Sequence, residues 1–151
     1  MLELIEAEDA ASRRTHECLL HTRRRRDDFE TSAREELLRE FEEPNSRFLV
    51  ALEQNEIVGY ARAAILEQPD PFFKTTRVGY VHALCTRAPH RGQGIASRLY
   101  EEVESWLTTE GCRQIHLEVF DGNEATKIYE GWGYTRFLSK NGERTLILLL
   151  F

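Results

Sequence analysis

Two glycines one residue apart, Gly92 and Gly94, lie within His90-Arg91-Gly92-Gln93-Gly94-Ile95-Ala96, where a strand-like run gives way to an amphipathic helical run. Such a junction can hold an anion. Glycine adopts dihedrals that other residues avoid and has no Cβ to keep a ligand away. The helix starting at Ile95 would aim its free N–H groups and the positive end of its dipole at the same spot. That combination most often binds phosphate, so the sequence points to a phosphorylated cofactor. The spacing argues against two familiar phosphate loops. A dinucleotide fingerprint needs Gly-x-Gly-x-x-Gly/Ala with an acidic residue about 20 positions on, and Ser97 stands where the third small residue belongs. A nucleotide-triphosphate loop ends in Gly-Lys-Ser/Thr, which is lacking here.

A second stretch carries independent information. Leu117-Glu118-Val119-Phe120 reads as a strand, Asp121-Gly122-Asn123 as a turn and Ala125 to Gly131 as a short helix, closed by Tyr129-Glu130-Gly131-Trp132-Gly133-Tyr134. Taken with Arg91-x-x-Gly94-x-Ala96, the order and separation resemble the GNAT family of N-acetyltransferases. That family carries Arg/Gln-x-x-Gly-x-Gly/Ala, then Asn, Ala and Tyr-Glu-x-x-Gly-Phe/Tyr. The likeness is specific from about Val78 to Tyr134. Two departures stand out. Asn123 lies six residues before Tyr129 where the family spacing is seven, so Gly122 occupies the family's Asn position. The family's Pro three residues before the motif Arg is Ala88 here, with Pro89 following.

The resemblance implies acetyl transfer from acetyl-coenzyme A to an amine by direct attack. It places the pyrophosphate at Arg91, Gly92, Gln93, Gly94, Ile95, Ala96 and Ser97. The pantetheine arm would lie along Leu84, Cys85 and Thr86, with a further contact from Asn123. The chemistry sets three requirements. The amine must lose a proton, since an ammonium of pKa about 10.4 has no lone pair to attack with. The thioester oxygen needs a donor as charge develops on it, and a backbone N–H around Leu84, Cys85 or Thr86 would serve. The departing thiolate must be protonated. Tyr129 matches the family Tyr near the cofactor sulfur, and a phenol of pKa about 10 can donate that proton; packing beside Ile128 and Trp132 is its structural alternative. His82 is the candidate base, with Glu118 on the neighbouring strand as competitor and a hydrogen-bonded core histidine as the alternative role. Tyr80 lies two residues from His82 and shares its face. Cys85 reads as a small buried residue rather than a nucleophile.

These residues need elements to position them. Leu2 to Glu6 alternates like a strand, and Asp9 to about Arg25 reads as a helix. Ser32 to Phe41 reads as a second helix, opened by a Ser32/Glu35 capping box and carrying Ala33, Leu37, Leu38 and Phe41 on one face. Arg47 to Glu53 and Glu56 to Leu66 form a hairpin around Gln54-Asn55. Arg77 to Thr86 is a strand, and Ile95, Leu99, Val103, Trp106 and Leu107 line one side of the long helix that Gly111 ends. Ile115, Leu117 and Val119 alternate along a further strand. Gly133 to Leu138 and Arg144 to Phe151 turn at Asn141-Gly142. The expected architecture is a single α/β domain over residues 1–151. It has a mixed, mostly antiparallel sheet of about seven strands flanked by about four helices, as in the GNAT fold. The run Thr145 to Phe151 is too apolar on both faces for a free edge; it is either sandwiched within the sheet or covered by a second copy in a homodimer.

Composition narrows the partners. A chain of 151 residues with net charge −6 fits one domain, argues against general nucleic-acid binding and mildly favours a cationic partner. No apolar run reaches the ~18 residues of a membrane span, and the acidic, strand-like start does not read as a signal peptide. Cys18, Cys85 and Cys112 are scattered and odd in number, so reduced thiols and a cytoplasmic location are expected. His16, His21, His82, His90 and His116 show no metal-ligand spacing with them, and no metal is expected. Arg23 to Arg26 reads as a solvated helix end partly neutralised by Asp27 and Asp28, with a nucleotide or substrate contact as the alternative. In the family the acceptor site maps to Arg13–Glu43 and Phe137–Glu143. Asp27, Asp28, Glu30, Glu35 and Glu36 there would attract an ammonium, and a small amine or a protein amine both fit. A non-catalytic acyl-CoA sensor and a transferase of longer acyl groups are the competing functions.

Overall fold

A computed structural model describes residues 29–69, 71–72, 76–120, 123–140 and 143–150. In chain order the elements are α1 (Phe29–Glu42), β1 (Ser46–Glu53), β2 (Glu56–Gln68), β3 (Thr76–Thr86), a 3₁₀ turn (Ala88–His90), α2 (Ile95–Thr109), β4 (Gln114–Phe120), α3 (Ala125–Gly131), β5 (Thr135–Lys140) and β6 (Glu143–Leu149). Among the described residues this gives six strands and three α-helices, against the seven and four expected. The expected strand Leu2–Glu6, the helix from Asp9, the Arg23–Arg26 run and the turns at Asp121-Gly122 and Asn141-Gly142 lie outside the described residues. The class is as expected: one mixed α/β sheet in the order β1-β2-β3-β4-β6-β5. All neighbours are antiparallel except β3 and β4, which α2 joins as a crossover. A parallel pair requires such a connection.

The core lies between α2 and the sheet. Ile95, Leu99, Val103 and Leu107 recur at helical spacing and are buried against Ala61, Ala63, Ile65, Val81, Ile115, Leu117 and Leu146. Two glycines let the helix sit close. A Cβ on Gly79 would stand 2.6 Å from Leu107 Cδ1, and one on Gly59 would stand 3.0 Å from both Ile95 Cγ2 and the Cys85 carbonyl oxygen. Gly111, at φ 82°, ends α2, and the following Cys112 N–H bonds back to the Leu107 carbonyl at 3.0 Å.

One expectation changes. Helix α1 already includes Phe29, so Ser32 lies within the helix and cannot be its cap. On its apolar side Leu38 and Phe41 are 57% and 54% exposed, and Phe41 stacks on Phe48 of β1 at 4.1 Å. The apolar run after Thr145 belongs to β6, which is paired with β4 on one side and β5 on the other. The run is thus sandwiched within the sheet, one of the two arrangements expected for it.

Candidate active site

The site is built where β3 stops being a regular strand. Arg62 pairs with Ala83 and Ala63 pairs with Val81, so His82 is an extra residue without a partner on β2. A β-bulge of this kind bends its strand and re-aims side chains. The parallel pairing of β3 with β4 runs only from Val78↔Gln114 to Val81↔Leu117. Beyond that point β3 follows β2 as far as Thr86↔Gly59, while β4 follows β6 as far as Phe120↔Glu143. The strands part at the bulge, and the β4-facing edge of Leu84, Cys85 and Thr86 has no strand paired to it among the described residues. Leu84 packs against the main core. Cys85 lies in a separate small cluster with Tyr60 and Ala83, and its thiol is buried and unbridged.

At the end of β3 the 3₁₀ turn leads into the glycine loop. Gly92 and Gly94 both have φ 75°, and a Cβ on either would meet nothing within 4 Å. The left-handed backbone therefore demands glycine, while the space beside it stays open. Gly94 is the N-cap of α2 and no side chain caps that helix; its first N–H groups remain available to a ligand. Arg91 Nε donates to the Thr86 carbonyl at 3.2 Å, and Gln93 Nε2 donates to the Pro89 carbonyl at 3.4 Å. Both side chains are exposed and brace the loop. Ile95 is buried and anchors the start of the helix, and Ala96 and Ser97 are half-buried beside it. An open cradle of this form, with positive-φ glycines below a free helix N-terminus, fits a diphosphate group.

The opposite wall comes from β4 and α3. Asn123 Oδ1 accepts the Ala125 N–H at 3.0 Å, so this side chain opens α3. Tyr129 is half-buried, edge-on to Trp132 at 5.6 Å and to Tyr134 at 6.0 Å. Packing fixes its ring, so the structural alternative holds without excluding a chemical one. Behind it the Tyr100 and Tyr134 hydroxyls share a buried hydrogen bond of 2.9 Å. Burial raises both phenols above their ordinary range, which keeps them neutral.

The bulge gathers a polar cluster that was only partly legible beforehand. The Tyr80 and His82 rings lie 4.8 Å apart, as their spacing predicted. His116, which sequence reasoning passed over except as a metal ligand, lies 6.4 Å from Tyr80, and its Nε2 is 2.8 Å from Gln114 Oε1. The parallel register Tyr80↔His116 was the missing signal. Glu118, exposed on the same strand, acts electrostatically on His82. His82 itself corrects an expectation. The side chain is exposed, so the alternative of a core histidine does not hold; desolvation where it lies against the sheet and the Arg62 guanidinium lower it to about 4, with Glu118 opposing. It is neutral near pH 7 but only weakly basic. Burial also lowers His116. Among the described residues no group of His, Cys, Asp or Glu is arranged to hold a metal ion, and no helix is long and apolar enough to cross a membrane.

The parted sheet and the glycine loop with its free helix N-terminus suit a ligand with a phosphate handle, and sequence comparison gives the family: residues 10–134 match the acetyltransferase (GNAT) family, to which the chain belongs. The chain is 33% identical over 89 residues to N-alpha-acetyltransferase 30 of Schizosaccharomyces pombe, covering 58% of this chain and 57% of that protein. It is 34% identical over 68 residues to N-alpha-acetyltransferase 30 of Saccharomyces cerevisiae, covering 44% and 39%. The chain thus spans about half the length of the curated relatives it matches. Among solved structures, the NatC complex bound to Gag peptide and CoA is similar at 26% identity and TM-score 0.61, over 80% of this chain and 79% of that one. A Bacillus halodurans protein shares the fold at TM-score 0.74 and 20% identity, over 93% and 90%. The expectation of an N-acetyltransferase enzyme agrees with these matches.

Proposed function

We propose that the chain transfers an acetyl group from acetyl-coenzyme A to a primary amine by direct attack, with the α-amine of a peptide N-terminus as the acceptor. The observation that carries this is the cradle itself: two glycines at φ 75° with open space beside them, below an uncapped helix, where β3 and β4 part. Acetyl-CoA supplies the activated acetyl group and a diphosphate handle. Arg91, Gly92, Gln93, Gly94, Ile95, Ala96 and Ser97 would hold the handle. Leu84, Cys85 and Thr86 would line the arm and offer a backbone N–H to the thioester oxygen, and Asn123 would flank it. Tyr129 would hold the proton for the leaving sulfur. Cys85 takes no covalent part.

The relatives named N-alpha-acetyltransferase 30 support the choice of acceptor, and so does the weak basicity of the cluster. An α-amine of pKa about 7.7–8.0 is roughly one-quarter free base at pH 7.4, whereas a lysine-type amine of about 10.4 is only about a thousandth free. A site whose imidazoles are depressed by burial is better matched to the amine that needs less help. His82 or His116, directly or through water, or Glu118, would take the remaining proton. The test is free-thiol release with acetyl-CoA and two peptides. One has a free N-terminus and no lysine, and the other has a blocked N-terminus and one lysine. Release with the first supports the proposal, and release with the second alone overturns the acceptor. Cofactor binding without release from any amine would favour the sensor instead.

A further inference from the structure

The cofactor loop has a second support that the residues above do not include. The β1–β2 hairpin turns at Gln54 and Asn55, both left-handed at φ 50° and 65°, directly after Glu53. His90 Nε2 lies 2.9 Å from Glu53 Oε2. A carboxylate can only accept, so the ring nitrogen donates. The other ring nitrogen, Nδ1, is buried without a partner, which leaves Glu53 as the ring's polar contact among the described residues. His90 closes the 3₁₀ turn, with its own N–H on the Arg87 carbonyl at 2.9 Å and the Arg91 N–H on the Ala88 carbonyl at 3.3 Å. The residues that follow are the two left-handed glycines. The Arg87 N–H in turn bonds the Val58 carbonyl at 2.8 Å. The entry to the cradle is therefore tied to the hairpin twice, once by backbone at Arg87 and once by side chain at His90. A cavity of about 360 Å³, lined by Glu53, Gln54, Glu56, Val58 and His90, lies along this junction. Both partners of the His90–Glu53 contact line it.

We infer that His90 and Glu53 are positioning residues that preset the glycine loop for its anionic ligand. The inference rests on the cofactor assignment made for that loop. Ordering a flexible backbone costs conformational entropy, and a loop already ordered when the ligand arrives avoids part of that cost. Neither residue touches the reacting atoms, so the effect falls on cofactor affinity and not on turnover.

The test is a double-mutant cycle on the dissociation constant for acetyl-CoA, measured by titration calorimetry on the full chain with E53A, H90A and the double variant, each of which removes the hydrogen bond, beside kcat for each. Each single change is expected to weaken binding about threefold, within the usual net range of one hydrogen bond. The double variant should be no weaker than either single, because one contact is lost in all three, and kcat should stay unchanged. Singles that bind like the wild type, losses that multiply in the double variant, or a fall in kcat at constant affinity each overturn the brace. Wild-type protein that fails to bind acetyl-CoA removes the cofactor assignment itself, and the brace with it; an intact wild-type affinity separates the two failures.

Discussion

Replacing Gly94 with alanine separates a glycine needed by the fold from a glycine needed by a ligand, because the molecule contains a matched control. Gly94 and Gly111 stand at opposite ends of α2 with nearly the same backbone, φ 75° and 82°, and an added Cβ meets nothing within 4 Å at either position. The steric cost of alanine in the left-handed region is about 1–2 kcal/mol at both, offset in part by the lower entropy of the unfolded chain. With an unfolding entropy of about 2.1 cal/mol/K per residue, 151 residues give about 0.3 kcal/mol/K. Each variant should therefore melt roughly 3–6 °C lower. Binding should divide them. In Gly94→Ala the methyl occupies the space where a diphosphate would approach the helix N-terminus. Displacing the anion by even one charge-assisted hydrogen bond costs about 1.5–3 kcal/mol, roughly tenfold or more in affinity. Calorimetric titration with acetyl-CoA should show at least that loss for Gly94→Ala and less than about twofold for Gly111→Ala. Equal affinities, or equal losses, would refute the argument that the open space at Gly94 is the anion site.

Tyr129→Phe keeps the edge-on packing against Trp132 and Tyr134 but removes the proton, so kcat should fall about 100-fold with cofactor affinity held within about threefold; unaltered turnover would remove the acid role. His82 carries a stability signature of fixed sign. Its folded value, about 4, lies below its ordinary 6.5, so the unfolded chain takes up the proton first as pH falls. Stability should be unaffected above about 6.5 and decline between 6.5 and 4, by about 1 kcal/mol or less once the ring's solvent exposure is allowed for. Urea midpoints of His82→Asn should show a flatter acid limb than the wild type, and identical limbs would deny the depressed imidazole. Gly79→Ala places a Cβ 2.6 Å from Leu107 Cδ1; such overpacking costs about 1–3 kcal/mol, and a melting temperature equal to wild type would mean that α2 can lift off β3 freely.

The cradle was legible because its requirements are local. A left-handed backbone needs glycine, a helix N-terminus follows at once, and both facts lie within seven consecutive residues, His90 to Ala96. The periodicity of Ile95, Leu99, Val103 and Leu107 marked α2 for the same reason, since 3.6-residue spacing shows itself within one segment. What could not be read depends on register. Nothing in the chain order announces that Tyr80 stands beside His116, or that one residue between Val81 and Ala83 drops out of the ladder. The doubly apolar β6 left two alternatives because a strand covered by its own sheet and one covered by a second molecule look alike in sequence. Glu53 and His90, 37 positions apart, meet only because a hairpin tip returns to the end of a third strand.

The bulge at His82 connects these long-range features to chemistry. Antiparallel pairing with β2 would otherwise hold β3 straight beside β4, and a continuous ladder would leave no gap for a ligand arm. Inserting one unpaired residue lets β3 stay bonded to β2 as far as Thr86 while it leaves β4 after Val81. The same insertion brings Ala83 and Cys85 to the small cluster with Tyr60 and leaves Leu84 on the main core. It also sets the His82 ring beside Tyr80 at the point of divergence. The consequence for catalysis runs against the sequence expectation. A histidine placed in that wedge is crowded by the sheet and faces Arg62, so it loses basicity where a base was sought. A general base works best with a pKa near the operating pH, and one near 4 is far from that.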